Sequence, residues 1–238
     1  MRLMLTVSYD GTAFRGWARQ PGERTVEAVL REALAKVYGS VDGLAVAGRT
    51  DTGVHALGNV VSLDAEGGPP PERAAEALNA VLPADVAVVG AKAAADDFNA
   101  RFAARSRTYR YRIWRRRERS PFEVNRALWH PAPLEVQKLS ASAAMVIGEH
   151  DFRAFTPTDT QHDVFVRAVE DARWHERGGV IELEITADSF LRHMVRTLVG
   201  TMLERDPDAF VHLLSGVPRS HAGSTAPAHG LYLARVGY

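Results

Sequence analysis

Apolar residues follow the same order of patterns in the two halves of this chain. In the first half, period-two or continuous apolar runs typical of strands alternate with period-3.6 runs typical of helices, in the order strand, helix, strand, strand, helix, strand. The second half repeats this order and adds one short helix near residues 207–214. Two split βαββαβ units in tandem are the fold that this order predicts.

We therefore predict an α+β protein made of two ferredoxin-like halves, residues 1–104 and 105–238. No linker rich in Gly, Ser or Pro separates the halves near residues 95–106, so we expect their sheets to join into one mostly antiparallel central sheet with helices on one face. The first half carries a polar loop around Asp51, and the second carries a basic strand and a helix that contains Arg196.

The periodic runs also predict where the elements begin and end. Thr25, for example, is a suitable N-cap for the first helix, and Gly39 is a suitable stop. The first half is predicted to contain strand 2–9, a helix from Thr25 to Val37, strands 44–47 and 59–63, a helix from 69–71 to 81, and strand 85–92. The second half is predicted to contain strand 108–114, helix 134–147, strands 165–174 and 180–187 around a hairpin at 177–179, helix 189–204, and strand 231–236.

The chain contains no cysteine, which excludes disulfides, thiolate catalysis, iron–sulfur clusters and cysteine-based zinc sites. Its nine histidines form no H-E-x-x-H pair, so we expect no metal site. The apolar run at the N-terminus is too short for a signal peptide and is already polar at Ser8, and no run reaches the roughly 18 apolar residues of a membrane span. We therefore expect a cytoplasmic protein that does not enter a membrane.

Positive charge is concentrated in one stretch of a chain whose net charge is zero. Residues 105–119 hold eight arginines and one acid, Glu118, which gives a local charge of +7. The chain has only three lysines, so a general preference for arginine contributes to this number but does not explain the clustering. Such a stretch attracts phosphate groups, and a solvated arginine-rich strand and loop is the alternative.

The sequence V-A-G-R-T-D-T-G-V-H-A at residues 46–56 follows a short buried strand. Gly48 and Gly53 allow the backbone to turn sharply, so Arg49 and Asp51 are predicted to project near the edge of a sheet. A carboxylate beside a guanidinium stays ionised, which suits a carboxylate nucleophile. A simple turn, in which Asp and Thr bond to the local backbone, is the alternative.

Alternation along strand 108–114 sorts its side chains by type. Tyr109 shares one face with Tyr111 and Ile113, whereas Arg110 and Arg112 share the other. Tyr109 is a candidate stacking surface for a nucleotide base, and ordinary packing of strand aromatics in the core is the alternative.

The helix predicted at residues 189–204 places Arg192 and Arg196 four residues apart on one face. From this spacing alone, an exposed row of arginines is the favoured interpretation. We interpret His55 and His193, which lie near these candidate residues, as structural histidines.

The A-G-R-T-D-x-G-V-H-A sequence resembles the catalytic signature of tRNA pseudouridine synthases of the TruA family. Ala18 and Thr52 depart from residues that are common in the family, and both lie beside the motifs. Further matching segments are Y-D-G-T-x-F-x-G-W at 9–17, L-N-A-x-L-P at 78–83, D-D-F-x-A-R-F at 96–102, R-T-Y-R-Y at 107–111, F-L-R-H-M-V-R-x-L-V-G at 190–200 and A-P-A-x-G-L-Y-L at 226–233.

The resemblance implies that Asp51 is the nucleophile of a reaction that converts uridine to pseudouridine at nucleotides 38 to 40 of the tRNA anticodon arm. It implies that Tyr109 lies against the target base and that Arg196 pairs with the nucleophilic aspartate. Arg49 is expected to hold the place of the flipped nucleotide and to contact RNA. The family works without a cofactor and as homodimers, so we expect no cofactor and a homodimer.

The basic stretch is expected to add phosphate and stacking contacts to tRNA. We expect Arg110 and Arg112 to contribute to substrate binding, together with outlying residues of the first half. These outlying residues are Arg15, Arg19, Arg101, Phe14 and Trp17.

Two other functions remain open from the residues alone. A non-catalytic RNA-binding module explains the basic stretch and Tyr109 but leaves the Asp51 loop without a role. A phosphotransferase or phosphatase with Asp51 as the phosphorylated residue requires a second acidic cluster for Mg²⁺, for which Asp96 and Asp97 are the only candidates.

Overall fold

Ten strands and five α-helices confirm the α+β class, and most of the strand pairs are antiparallel. The computed structural model describes residues 1–238 and divides them into two compact units. The first unit consists of Met1–Arg105 together with Tyr232–Tyr238, and the second of Ser106–Leu231. None of the helices combines the length and the apolar composition that a membrane span requires.

In the first unit, the first strand lies between two antiparallel neighbours, β3 (His55–Glu66) and β4 (Val86–Ala93). A further strand, β2, pairs with the other side of β3. The elements of this unit are β1 (Arg2–Tyr9), α1 (Val26–Val37), β2 (Ser40–Val46), β3 (His55–Glu66), α2 (Pro71–Asn79), β4 (Val86–Ala93) and β10 (Leu231–Gly237).

The core of the first unit follows the predicted periodicity. Leu3, Leu5 and Val7 alternate along β1 and are completely buried, as expected for a half-buried strand. The N-cap of α1 is Thr25, whose hydroxyl accepts a hydrogen bond from the Ala28 N–H at 3.4 Å. This bond satisfies one of the N–H groups that a helix start leaves without a partner.

The last strand does not follow the predicted division of the chain. We expected residues 105–238 to form one half, but β10 runs parallel to β3, with Tyr232 opposite His55 and Leu233 opposite Ala56. Leu233 is fully buried there. The first unit is therefore built from two separate stretches of sequence.

The second unit contains a sheet of antiparallel strands in the order β5 (Ser106–Trp114), β9 (Val180–Ala187), β8 (Val166–Arg177) and β7 (Gly148–Asp151). A short strand, β6 (Leu128–Trp129), pairs in parallel with the end of β5. Strands β8 and β9 form the predicted hairpin, and Gly178 and Gly179 both have positive φ angles of 60° and 88°, as a two-residue turn of type I′ requires. The elements are β5 (Ser106–Trp114), β6 (Leu128–Trp129), α3 (Val136–Met145), β7 (Gly148–Asp151), β8 (Val166–Arg177), β9 (Val180–Ala187), α4 (Met194–Glu204) and α5 (Ala209–Leu213).

Helix α4 is shorter than predicted. The apolar pattern indicated a start near Ser189, but α4 begins at Met194, and His193 before it has a left-handed φ of 62°. The Asp188 carboxylate accepts a hydrogen bond from the Ser189 backbone N–H, which is an Asx-type bond that competes with helix formation. Phe190 and Leu191 therefore lie before the helix, and the Met194 N–H donates to the Leu191 carbonyl at 3.1 Å in a turn that leads into it.

Candidate active site

The loop that contains Asp51 connects β2 to β3 and alternates between exposed and buried side chains. Arg49 is exposed and Asp51 is half-buried, whereas Thr50 between them has only 7% of its surface exposed. Arg49 and Asp51 therefore both keep solvent-accessible surface, and their predicted roles stay predictions. Thr50 attaches the loop to the interior of the first unit.

Hydrogen bonds from Tyr9 and Asn59 in the interior of the first unit hold the Asp51 loop. The Thr50 hydroxyl lies 2.7 Å from the Tyr9 hydroxyl, and the Asn59 side-chain amide donates to the Tyr9 hydroxyl at 3.3 Å and to the Gly48 carbonyl at 2.8 Å. Because Tyr9 already accepts from Asn59, its own proton is best placed on the Thr50 oxygen. Burial raises the pKa of Tyr9 to about 12, so the phenol stays neutral near pH 7.

Residues 9–17 support the loop from a second side, and we call them the support segment. The Trp17 N–H donates to the Thr50 carbonyl at 3.0 Å, and the Gly53 N–H donates to the Phe14 carbonyl at 3.3 Å. At Gly11 a Cβ atom would lie 2.0 Å from the Val54 carbonyl oxygen, so only glycine allows this close approach. The loop is thus fixed before and after Asp51.

Phe14 and Trp17 are not available to nucleotides. Their exposed fractions are 2% and 1%, so the prediction that they stack on RNA bases is wrong. The Phe14 ring is covered by the guanidinium of Arg24 at 4.0 Å, and Trp17 packs beside Tyr9 with ring centroids 5.9 Å apart. The sequence around these rings looked like a polar surface loop, but burying their apolar surface is favourable and places them in the core.

His55 is packed on both sides of its ring. Its Nδ1 accepts a hydrogen bond from the Gly11 N–H at 3.0 Å, and its ring stacks on Tyr232 at 4.5 Å. Nδ1 also lies 3.2 Å from an Asp10 carboxylate oxygen, but a nitrogen that accepts from Gly11 carries no proton for an ion pair. These contacts give His55 a structural role in joining β10 to the support segment.

The two tyrosines of β5 differ in burial. Tyr111 is completely buried, donates its hydroxyl to the Pro227 carbonyl at 2.9 Å, and has a pKa raised by burial. Tyr109 is half-buried, and its ring meets Phe190 edge-on at 5.0 Å. Tyr109 therefore keeps an accessible part, whereas Tyr111 is a core residue.

Arg110 and Arg112 lie opposite glutamates of the neighbouring strand. Arg110 faces Glu184 and Arg112 faces Glu182, and the Arg110 Nε donates to a Glu184 oxygen at 2.8 Å. Arg112 also donates to Glu123 at 3.2 Å. These cross-strand pairs neutralise much of the charge that the sequence places on this face, so phosphate binding by Arg110 or Arg112 has to compete with the glutamates. Their role in substrate binding stays a prediction.

Arg196 lies within α4, whereas Arg192 lies in the turn before it, so the two do not share the helix face that the spacing predicted. Arg192 is exposed and pairs with Asp159. Arg196 is half-buried, and its Nε donates to the Ala226 carbonyl at 2.8 Å, while the Ala226 N–H donates to the Arg196 carbonyl at 3.1 Å. Ala226 thus holds both the backbone and the side chain of Arg196 through hydrogen bonds.

Residues 222–227 run along α4 and form the support of Arg196. The Gly223 N–H donates to the Thr201 hydroxyl at 3.0 Å, and the Thr197 and Thr225 hydroxyls lie 3.1 Å apart. At Gly200 a Cβ atom would lie 1.9 Å from the Ser224 carbonyl oxygen, so this approach also requires glycine.

Sequence reasoning did not identify the residues that hold the candidate site in place. Tyr9, Thr50 and Asn59 support the Asp51 loop, and Gly200 and Ala226 support Arg196. The one available signal was Asn59, a polar residue that interrupts an apolar strand. No group of three or more His, Cys, Asp or Glu side chains is arranged to hold a metal ion.

Comparison with known proteins gives matches along the whole chain. A family model described as tRNA pseudouridine synthase matches residues 5–103 and 142–238. A protein of Bacillus subtilis (strain 168) named tRNA pseudouridine synthase A is 41% identical over 245 residues, which cover 100% of this chain and 99% of that protein. Proteins of the same name from Thermus thermophilus and Bordetella petrii are 41% and 42% identical, and each match covers 100% of this chain. These matches cover 96% and 91% of the two relatives.

Proposed function

The chain belongs to the tRNA pseudouridine synthase family of isomerases, and we propose that it converts uridine to pseudouridine in the anticodon arm of tRNA, at nucleotides 38 to 40. One observation carries the assignment of the nucleophile to Asp51. The loop is anchored by buried hydrogen bonds at Gly48 and Thr50, while the Asp51 carboxylate stays half-buried on its accessible side. Such an arrangement holds a reactive group in a fixed position, which is a large part of catalytic efficiency.

The reaction is an isomerisation and needs no oxidant or reductant. The bond between uracil N1 and the ribose breaks, a bond between uracil C5 and the ribose forms, C5 loses a proton and N1 gains one. We propose that the Asp51 carboxylate forms a covalent intermediate, which divides one difficult step into two easier ones. This chemistry uses only side chains of the protein.

The target uridine is stacked in the tRNA arm and has to leave the stack to react. We propose that Tyr109 packs against the extracted base, because its ring is partly accessible and is held in place by Phe190. Arg49, which is exposed beside Asp51, is proposed to occupy the vacated place in the RNA. Arg196, fixed by Ala226, is proposed to pair with the nucleophilic aspartate.

The proposal is tested with purified protein and an unmodified tRNA transcript, without added metal. We expect the wild type to form pseudouridine in the anticodon arm, as mapped by nucleoside mass spectrometry, and Asp51→Asn to form none. Asp42→Asn, which changes an exposed aspartate of β2 in the same unit, is the matched control and is expected to keep full activity. If Asp51→Asn retained activity, the nucleophile would be another residue.

We also propose that the protein acts in the cytoplasm as a homodimer that grips one tRNA. Light scattering of the purified protein, alone and with tRNA, measures the number of chains in the complex. A single chain per tRNA would contradict the dimer while leaving the proposed reaction in place.

A further inference from the structure

Residues 114–129 form an ordered loop on the second unit, and we call it the tryptophan loop. Two tryptophans hold it through their ring N–H groups, because Trp114 donates to the Glu118 carbonyl at 2.9 Å and Trp129 donates to the Arg116 carbonyl at 3.1 Å. The His130 N–H donates to the Trp114 carbonyl at 2.8 Å and closes the loop at its base. The loop therefore has a defined conformation.

Arginines cover the faces of both tryptophans. The guanidinium of Arg119 lies 4.4 Å from the ring centroid of Trp129, and that of Arg116 lies 5.2 Å from the ring centroid of Trp114. Cation–π contacts of this kind hold a guanidinium in place while its edge still faces solvent. The loop carries five arginines and two glutamates, a net charge of +3.

Apolar side chains of the same loop point into solvent. Phe122 is 85% exposed and Val124 is 58% exposed, although hydrogen bonds at Ser120 and Glu123 order the backbone around them. Phe122 and Val124 are two positions apart and lie beside the exposed arginines, so the loop presents apolar and cationic groups together. The prediction of stacking by Phe14 and Trp17 was wrong, and Phe122 supplies an exposed ring that those residues do not.

We propose that the tryptophan loop binds unpaired nucleotides of RNA. A base stacks on the ring of Phe122, and the adjacent phosphates bind Arg116, Arg117 and Arg119. Because the proposal names the RNA as the tRNA substrate, it rests on the proposed function. Stacking on a ring together with backbone contacts to cationic side chains is how proteins hold single-stranded nucleic acids without reading their sequence.

Charge favours RNA over a second copy of this chain as the occupant. If two copies met through this loop, two surfaces of the same positive sign would face each other, at a cost in free energy. Phosphates supply the opposite charge instead. Of the acids in the loop, Glu123 is engaged by Arg112, and Arg115 pairs with Glu176 outside the loop. Glu118 is therefore the one remaining loop carboxylate beside the exposed Arg116, Arg117 and Arg119.

The test compares the affinity of wild-type protein, Phe122→Ala and Arg117→Ala for labelled tRNA at several salt concentrations. We expect Phe122→Ala to weaken binding on the order of tenfold, as for the loss of one stacked base. Arg117→Ala is expected to lower the salt slope of binding by about one, as for one lost phosphate contact. Val211→Ala, which removes a 66% exposed side chain elsewhere on the second unit, is the control and is expected to bind like wild type.

Two further measurements test whether the loop binds unpaired rather than paired RNA, and whether Phe122 affects binding rather than catalysis. A single-stranded oligouridylate is expected to compete for the Phe122-dependent binding, whereas an RNA duplex of the same length is not. With saturating tRNA, Phe122→Ala is expected to keep the wild-type kcat and to raise only KM.

If Phe122→Ala and Arg117→Ala both bound tRNA like wild type, the inference would be overturned. If they instead lost the dimer in light scattering, the surface would join two copies of the chain.

A failure of the proposed reaction would give a different result from a failure of the proposed RNA surface. A wild-type protein that forms no pseudouridine, but whose tRNA affinity still depends on Phe122, would contradict the enzyme assignment and support the RNA surface. Both measurements use the full-length chain, and Phe122 is exposed enough that its truncation leaves the core unchanged.

Discussion

Thr50 anchors the loop that carries Asp51, the proposed nucleophile. Its hydroxyl accepts from Tyr9 inside the first unit, while Arg49 and Asp51 on either side face outwards. We predict that Thr50→Val destabilises the protein by about 1–3 kcal/mol, because the buried Tyr9 hydroxyl loses its acceptor. We also predict a kcat on the order of tenfold lower or more, since small misplacements of a reacting group are costly. Urea unfolding and single-turnover kinetics measure the two effects.

Thr50→Ser keeps the hydroxyl and is expected to restore most of the activity. Thr52→Val, an exposed position in the same loop, is the matched control and is expected to leave both stability and kcat unchanged. Equal kcat values for Thr50→Val and the wild type would show that the buried network serves stability alone.

At the scale of elements, α4 and residues 222–227 pack directly against each other, because Gly200 has no side chain between the two backbones. We predict that Gly200→Ala pushes the segment away from the helix and takes the Ala226 carbonyl from Arg196, at a cost of about 1–3 kcal/mol in stability. Because Arg196 is proposed to act in catalysis, kcat is expected to fall while the affinity for tRNA stays within about twofold of wild type. Thermal unfolding and tRNA-binding measurements distinguish these effects.

Gly90→Ala serves as the control for the glycine substitution. A Cβ atom at Gly90 would lie 3.6 Å from the nearest atom, which is ordinary van der Waals contact, so we expect little change in kcat. A Gly200→Ala enzyme with wild-type kcat would mean that Arg196 does not depend on this support.

At the scale of the whole molecule, the first unit needs both ends of the chain. Strand β10 pairs with β3, Leu233 is fully buried, and the Tyr238 hydroxyl donates to the Ala100 carbonyl at 2.9 Å. We therefore predict that a fragment ending at Arg105 shows no cooperative thermal transition by circular dichroism. A peptide of residues 229–238 added in excess is expected to restore the transition, and a scrambled peptide is not. A fragment that melts cooperatively by itself would contradict the prediction.

Local patterns in the sequence determined much of this protein. Alternating apolar residues predicted β1 and β9, Thr25 predicted the start of α1, and the glycine-flanked R-T-D motif predicted an accessible Asp51. These features depend on residues within a few positions of each other, because side-chain direction repeats every two residues in a strand and every 3.6 residues in a helix.

The tertiary structure alone decided which polar groups meet across the fold. Tyr9 finds its partners Thr50 and Asn59 at separations of 41 and 50 residues, and Arg110 is neutralised by a glutamate 74 residues away. The pairing of β1 with β3 and of β5 with β9 brings these residues together, and local periodicity does not indicate which strands pair. The sequence therefore indicated the candidate reactive residues, and long-range packing decided which residues hold them in position.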